Sequence, residues 1–247
     1  MARPEEIYTA LAKLAPVELA ESWDNVGLLV DTGMDVTSVL VTLDITDEVV
    51  REAELSGCQL VVSHHPVIFT PLKRLSRRDV AFRLVKKNIS AICMHTNLDA
   101  AEGGVNDVLA GLFGVRDAQP FADGCGRIGA VNELTVPQLA EQARRVLGAH
   151  VKYCDTGRPV RRLAVISGAG GSMFEQAAAL GADCLLTGEA SHHAALDAKR
   201  LGMSLVAAGH YATEQPVVPV LAQRLEKQFP QLRVVCSRRG KDPFTYL

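Results

Sequence analysis

The stretch Leu55-Ser56-Gly57-Cys58-Gln59-Leu60-Val61-Val62-Ser63 decides the fold, because a helix-like segment ends at a glycine directly before an apolar strand. Residues 39–63 align without a gap with residues 163–187, at a constant offset of 124 positions. Each copy predicts a strand, a helix and a second strand. This order is typical of a right-handed βαβ unit in a parallel sheet.

A third apolar strand follows in each copy, since residues 89–94 end at His95 and residues 203–208 end at Gly209-His210. We therefore predict an α/β fold of two related lobes with mainly parallel sheets. The first lobe is expected over residues 1–123 and the second over residues 124–247, joined around residues 119–126. The C-terminal segment could pack back on the first lobe. An alternative without duplication is that any two βαβ units share this pattern.

Composition excludes several classes of protein. The chain has 247 residues, of which 48% are apolar, so it can bury a sizeable core. Its formal net charge is -2 and its basic clusters are short and scattered, which argues against nucleic acid as a partner. No apolar run approaches membrane-spanning length. The six cysteines lie far apart without a CxxC pair, so we expect buried thiols in a cytoplasmic protein.

Histidines follow the predicted strands where a parallel sheet binds its ligands, at the carboxyl ends. His95 and His210 also have a carboxylate four residues on, at Asp99 and Glu214. Imidazole and carboxylate together suit first-row divalent metals. The candidate ligands are His64, His65, Asp99, His210 and Glu214. Taken singly, a histidine at a strand end is more often a hydrogen-bonded surface or core residue than a metal ligand.

The adjacent pair His64-His65 favours two metal ions over one. Successive side chains of an extended strand diverge, so both rings would be used only if two ions were bridged by a carboxylate. We therefore predict a dinuclear metal site between the lobes.

Six stretches of the chain resemble a known family. They are residues 21–30 (ESWDNVGLLV), 61–69 (VVSHHPVIF), 94–100 (MHTNLDA), 124–129 (GCGRIG), 187–193 (TGEASHH) and 208–214 (AGHYATE). Over essentially its whole length the sequence resembles the Nif-three-like family, whose bacterial members are commonly named type 2 homologs of GTP cyclohydrolase 1. The chain resembles the short form, without a domain inserted between the halves.

The resemblance implies that the family's two metal ions fall on the same five residues. It implies divalent ions such as Zn, Fe, Mn or Ni, with His95 beside the ions and orienting Asp99. It also implies a ring-shaped homohexamer whose metal sites face an internal cavity.

Other residues have both a structural and a functional interpretation. Asp24 and Asn25 are typical of a turn, whereas the resemblance implies that they bind substrate. Glu189 and His192, together with His95, are candidate catalytic acid–base groups. Because neighbours on a helix point about 100° apart, only one of His192 and His193 is expected to line a cavity. The glycine-rich residues 168–172 favour a tight turn over a phosphate-binding loop.

These observations favour a metal-dependent hydrolase acting on a small, nucleotide-like substrate, of the GTP cyclohydrolase type by resemblance. A two-metal phosphoesterase would use the same ligands, although Ser63 stands where DHH-type phosphoesterases have an aspartate. A non-enzymatic metal-binding scaffold or regulatory protein is the third possibility.

Overall fold

The computed structural model describes residues 1–246. The strands of these residues are β1 (Gly27–Val30), β2 (Ser38–Thr42), β3 (Leu60–Ser63), β4 (Ser90–Cys93), β5 (Arg116–Phe121), β6 (Gly126–Leu134), β7 (Lys152–Cys154), β8 (Val160–Ile166), β9 (Cys184–Thr187), β10 (Ser204–Ala207) and β11 (Arg233–Cys236). The α-helices are α1 (Pro4–Leu14), α2 (Asp47–Leu55), α3 (Val80–Lys86), α4 (Thr96–Ala100), α5 (Val105–Leu112), α6 (Val136–Leu147), α7 (Phe174–Ala179), α8 (His192–Arg200), α9 (His210–Glu214) and α10 (Val217–Gln228). Within this part of the chain, no helix has the length and apolar character needed to span a membrane.

The chain divides into two compact units. The first consists of Met1–Ala101 and Val217–Lys241, and the second of Glu102–Pro216 together with residues 242–246. The division therefore differs from a single cut near residue 123. Helix α10 and strand β11 belong to the first unit because β11 pairs in parallel with β2. Apolar residues of α10 such as Leu221 are buried.

The first unit contains a five-stranded sheet with the order β1-β4-β3-β2-β11. Strands β2, β3, β4 and β11 run parallel, and β1 is added antiparallel at the edge. Every residue of β2, β3 and β4 is buried. Continuous burial explains why these strands appear in the sequence as unbroken apolar runs rather than as an alternation.

The second unit contains a six-stranded sheet with the order β5-β6-β8-β9-β10-β7. Its centre, β8-β9-β10, is parallel, which confirms the predicted parallel strands. Strands β5, β6 and β7 pair antiparallel on either side of this centre, and the apolar runs of the sequence did not indicate them.

The predicted joining segment around residues 119–126 is instead a hairpin, so that expectation was wrong. Strands β5 and β6 pair antiparallel, and the chain reverses through Ala122, Asp123 and Gly124, which all have positive φ. Pro120 is tolerated because β5 lies at the edge of the sheet, where a missing N–H breaks no ladder.

The two units repeat one another in detail. Val39 pairs with Leu60 in the first sheet, and Leu163 pairs with Cys184 in the second, so the offset of 124 preserves the strand register. The sequence Asp-Thr-Gly also recurs at residues 31–33 and 155–157. In both copies the threonine N–H and hydroxyl contact a serine that begins the adjacent strand of the sheet, Ser90 of β4 or Ser204 of β10. These shared details support duplication of one ancestral unit.

The copies differ in length before the third strand. Leu60 pairs with Ser90 and Cys184 pairs with Ser204, so the offset falls from 124 to 114. The first unit therefore has ten additional residues between β3 and β4, in the region that includes residues 66–79.

The cysteines agree in part with the expected buried thiols. Cys58, Cys93 and Cys184 are buried, and burial raises the pKa of each thiol. Cys236 is exposed, contrary to the expectation, because it ends an outer strand of its sheet.

Candidate metal centre

The adjacent histidines His64 and His65 lie where the first unit's central strand stops. Strand β3 ends at Ser63, and the chain then bends while the His65 N–H donates to the carbonyl of Leu43, 2.9 Å away. The two imidazole centroids are 4.9 Å apart with their planes at 46°. The expectation that the two rings diverge was wrong, because the backbone at this point is bent rather than extended.

Each of these rings is held through its Nδ1 atom. His64 Nδ1 lies 2.9 Å from the carbonyl oxygen of Met94, and His65 Nδ1 lies 2.7 Å from Asp44 Oδ1. A carbonyl and a carboxylate can only accept, so Nδ1 carries the proton in both rings. The lone pair is then on Nε2, which is the arrangement found in histidines that bind metals.

His95 adds a third imidazole to this group. Its ring centroid is 5.2 Å from that of His64 and 5.4 Å from that of His65. One nitrogen atom from each of the three rings lies within 4.8 Å of a nitrogen atom from each of the other two. The carboxylate of Asp99 lies nearby, with Oδ1 3.7 Å from His64 Nε2. This group of His64, His65, His95 and Asp99 is hereafter the imidazole cluster.

The structure corrects the role expected for His95. The side-chain partner of its Nδ1 is Asp24, at 2.8 Å, rather than Asp99. The ring therefore does not orient Asp99, and it contributes to the imidazole cluster directly. Helix α4, which follows β4, places Asp99 one helical turn after His95 but beside the ring of His64.

Asp24 and Asn25 were expected to bind substrate, but their side chains bind the protein. The buried carboxylate of Asp24 accepts hydrogen bonds from His95 Nδ1 and from the amide and hydroxyl of Thr96. Burial alone would raise the pKa of Asp24, but these bonds outweigh it and the pKa is well below its usual value. Asn25 Nδ2 donates to the carbonyl of Ile68 at 2.5 Å.

The second unit presents His210 and Glu214 on the short helix α9. His210 Nε2 lies 3.1 Å from Glu214 Oε1, across one helical turn as the spacing predicts. His210 Nδ1 lies 3.2 Å from Glu189 Oε1. Glu189 thus lies at His210 Nδ1 as Asp44 lies at His65 Nδ1, and the Nε2 atom of His210 faces the carboxylate of Glu214. The carboxylate of Glu214 is buried.

Glycines 168 and 188 allow the backbone to approach this pair closely. A side chain at Gly168, where φ is 57°, would collide with Glu214 Oε1 and lie 3.3 Å from His210 Nε2. A Cβ atom at Gly188 would lie 2.9 Å from the Cα atom of His210. Gly168 therefore packs against α9, and residues 168–169 form a turn, the structure that the sequence favoured over a phosphate-binding loop.

His192 and His193 begin helix α8 and are both exposed. Their rings lie 5.6 Å apart, nearly perpendicular, and this is the ring contact that each makes within residues 1–246. Sequence analysis missed Asp44, although it follows strand β2 at the carboxyl edge of the same parallel sheet. That position was the available signal.

The repeated parallel sheets, with imidazoles and carboxylates after their strands, define a class of duplicated α/β proteins with candidate metal ligands. The description Duf34/NIF3 (NGG1p interacting factor 3) belongs to the family model that matches residues 2–243. The chain belongs to this family.

Relatives match the chain along nearly its whole length. A Streptomyces coelicolor protein named GTP cyclohydrolase 1 type 2 homolog is 35% identical, covering 99% of this chain and 94% of its own. The Saccharomyces cerevisiae NGG1-interacting factor 3 is 32% identical, covering 99% and 97%. A solved Staphylococcus aureus hypothetical protein has a TM-score of 0.90 at 29% identity and covers 99% of each chain.

Proposed function

We propose that His64, His65, Asp99, His210 and Glu214 bind two divalent metal ions. The observation that carries this proposal is the common orientation of His64, His65 and His210. In each ring Nδ1 faces a carbonyl or carboxylate oxygen, at 2.9, 2.7 and 3.2 Å, which leaves Nε2 on the opposite side of the ring. Three rings whose Nδ1 atoms are all engaged by the protein suit metal binding through Nε2.

The donor set also suits the ion. Neutral imidazoles with carboxylates favour borderline first-row metals such as Zn, Fe, Mn or Ni over Mg or Ca, which prefer oxygen ligands alone. The imidazole cluster already groups its nitrogen atoms within 4.8 Å of one another. Gly168, which lies against Glu214 and His210, provides space where a side chain would collide.

We propose that the protein is a cytoplasmic metal-dependent hydrolase acting on a small, nucleotide-like substrate. Bound divalent ions would acidify water and polarise the electrophile. Among the chain's own groups, His95, Glu189 and His192 are the candidates for moving protons. Asp24 would keep the His95 ring in position through Nδ1. The bacterial relatives named GTP cyclohydrolase 1 type 2 homolog support a purine nucleotide as substrate.

The metal proposal is tested by elemental analysis of the purified protein and of two variants. We expect close to two divalent ions per chain in the wild type, and the loss of at least one in His64→Ala and in Glu214→Ala. His193→Ala, which removes an exposed imidazole outside the proposed site, is the matched control and should keep both ions. Full metal content in both site variants would refute the proposal.

The catalytic proposal needs a separate assay. Metal-loaded protein is screened against purine nucleotides and phosphoesters, with chelated protein as the control. We expect metal-dependent hydrolysis of a nucleotide that rises with pH through the neutral range, as expected for an acidified water. Turnover of simple phosphoesters alone would identify a two-metal phosphoesterase. The absence of any turnover, with two ions bound, would leave a metal-binding scaffold and refute the hydrolase.

A further inference from the structure

The first unit exposes two aromatic rings beside the imidazole cluster. Trp23 is 58% exposed and Phe69 is 51% exposed, and their ring centroids are 5.9 Å apart with the planes at 51°. Trp23 also meets the ring of His95 edge-on, with centroids 6.1 Å apart. Large aromatic rings that stay exposed can serve as contact surface for a ligand, because their burial would be favourable. We call Trp23 and Phe69 the aromatic platform.

Hydrogen bonds of the neighbouring residues hold the platform in place. Asn25 Nδ2 donates to the carbonyl of Ile68, which ties the turn after Trp23 to the residue before Phe69. On the other side, the carboxylate of Asp24 is bound by His95 and Thr96. Both rings therefore project from anchored backbone, so a flat ligand would bind without first ordering a loop.

Positively charged residues follow Phe69 in the sequence. Phe69 lies in the region of ten additional residues that the first unit has and the second lacks. The same region contains Lys73, Arg74, Arg77 and Arg78, all exposed. Within residues 1–246 the side chains of these four residues form no ion pair. Lys73 and Arg74 line a surface cavity of about 360 Å³ that also includes Ile68, the neighbour of Phe69. The segment thus combines an exposed aromatic ring with four cationic side chains, although Asp31 lines the same cavity as Lys73 and Arg74.

We propose that the aromatic platform binds the planar heteroaromatic ring of an anionic ligand, a purine nucleotide, next to the imidazole cluster. Any base can stack on an aromatic face, whatever hydrogen-bond donors and acceptors it carries. Lysine and arginine side chains that form no ion pair attract the phosphates. This inference rests on the proposed function, because it names the part of a nucleotide-like substrate that the first unit recognises.

The chain provides its own reporter for this binding, since Trp23 is its only tryptophan. The intact protein is titrated with GTP, GMP, ribose 5-phosphate and tripolyphosphate while tryptophan emission is followed. We expect saturable quenching by GTP and GMP, and none by the two probes that lack a base. Equal quenching by tripolyphosphate, or none by any nucleotide at millimolar concentration, would overturn the proposal. A blue-shifted emission typical of a buried indole would overturn it as well, because a second copy would then cover the platform.

Variants of Phe69 separate stacking from general hydrophobic contact. We expect Phe69→Leu to weaken GMP binding about tenfold, the low end for the loss of one base stack, and Phe69→Tyr to retain it. Leu55→Ala, which shortens a 77% exposed apolar side chain of the same unit, is the control and should bind as the wild type does. Wild-type affinity in Phe69→Leu would contradict stacking. The titration is repeated after chelation, where quenching should persist. This distinguishes failure of the platform from failure of the metal proposal.

Discussion

The orientation of single imidazoles is the most informative feature at the scale of residues. The Nδ1 atoms of His65, His95 and His210 each face a carboxylate oxygen, at 2.7, 2.8 and 3.2 Å, whereas the Nδ1 atom of His64 faces a backbone carbonyl. A carboxylate behind an imidazole fixes the ring and makes Nε2 more basic. We therefore expect the carboxylates of Asp44, Asp24 and Glu189 to affect metal affinity as well as the imidazoles that they contact.

We expect Asp44→Asn to weaken metal binding about 10- to 100-fold, the usual effect of removing such a carboxylate. The fold should persist because the Asp44 side chain is only partly buried. Competition with a chromogenic chelator measures the affinity. Asp47→Asn, which removes a surface carboxylate paired with Arg83, is the control and should bind metal as the wild type does. Unchanged affinity in Asp44→Asn would show that this carboxylate does not support the ligand.

The buried carboxylate of Asp24 gives a pH dependence of stability. Its pKa is lowered in the folded protein, so the unfolded chain binds a proton more readily as the pH falls. The stabilisation by Asp24 is fully present above the unfolded pKa of about 4 and declines below it. We expect the free energy of unfolding of metal-free wild type to exceed that of Asp24→Asn by about 1–3 kcal/mol at pH 7, with a smaller difference at pH 3.

Urea denaturation of both proteins across this pH range measures the difference. Asp35→Asn, an exposed carboxylate beside Arg3, is the control and should unfold as the wild type does at each pH. A difference between wild type and Asp24→Asn that does not change with pH would show that ionisation of Asp24 is not the cause.

At the scale of elements, a different side chain in each unit accepts hydrogen bonds from two consecutive backbone N–H groups. Gln59 Oε1 accepts from the amides of Thr37 and Ser38, at 3.0 and 3.1 Å, where β2 begins. At the equivalent position of the second unit, Asp183 Oδ2 accepts from the amides of Arg161 and Arg162, at 2.9 and 2.8 Å. An uncharged amide oxygen therefore suffices for this task.

We expect Asp183→Asn to be nearly neutral for stability, because its amide oxygen can accept the same two N–H groups. Asp183→Leu removes the acceptor and should lower the free energy of unfolding by about 1–3 kcal/mol. Thermal and urea unfolding of the two variants against wild type provide the measurement. Equal loss in both variants would mean that charge, rather than the accepted hydrogen bonds, makes the contribution.

The elements also show where sequence patterns succeed and where they fail. The buried runs of β3 and β9 were predictable because a strand covered on both faces is apolar throughout. Strand β5 was not, since five of its six residues are exposed and it contains Pro120. Hydrogen-bond partners that are distant in sequence were equally unpredictable. The pairing of His95 with Asp24, 71 residues away, follows from the antiparallel pairing of β1 with β4, which no local spacing encodes.

At the scale of the whole molecule, we propose the homohexamer that the family resemblance implies. Light scattering of the purified protein should give six times the 26.5 kDa mass of one chain across micromolar concentrations. Chelation followed by the same measurement shows whether bound ions support the assembly. A mass equal to one chain throughout would refute the hexamer while leaving the metal proposal intact.

The pairing of β11 with β2 has a consequence for synthesis on the ribosome. The second unit is nearly continuous in the chain, so its sheet is available once β10 has emerged. The first unit begins earlier but finishes later, because residues 217–241 leave the ribosome after residues 102–216 of the second unit. Until then β2 is an open edge of five buried residues, a template for aggregation. The nascent chain therefore completes the second unit before the first. Premature termination before β11 leaves the edge of β2 without its partner strand.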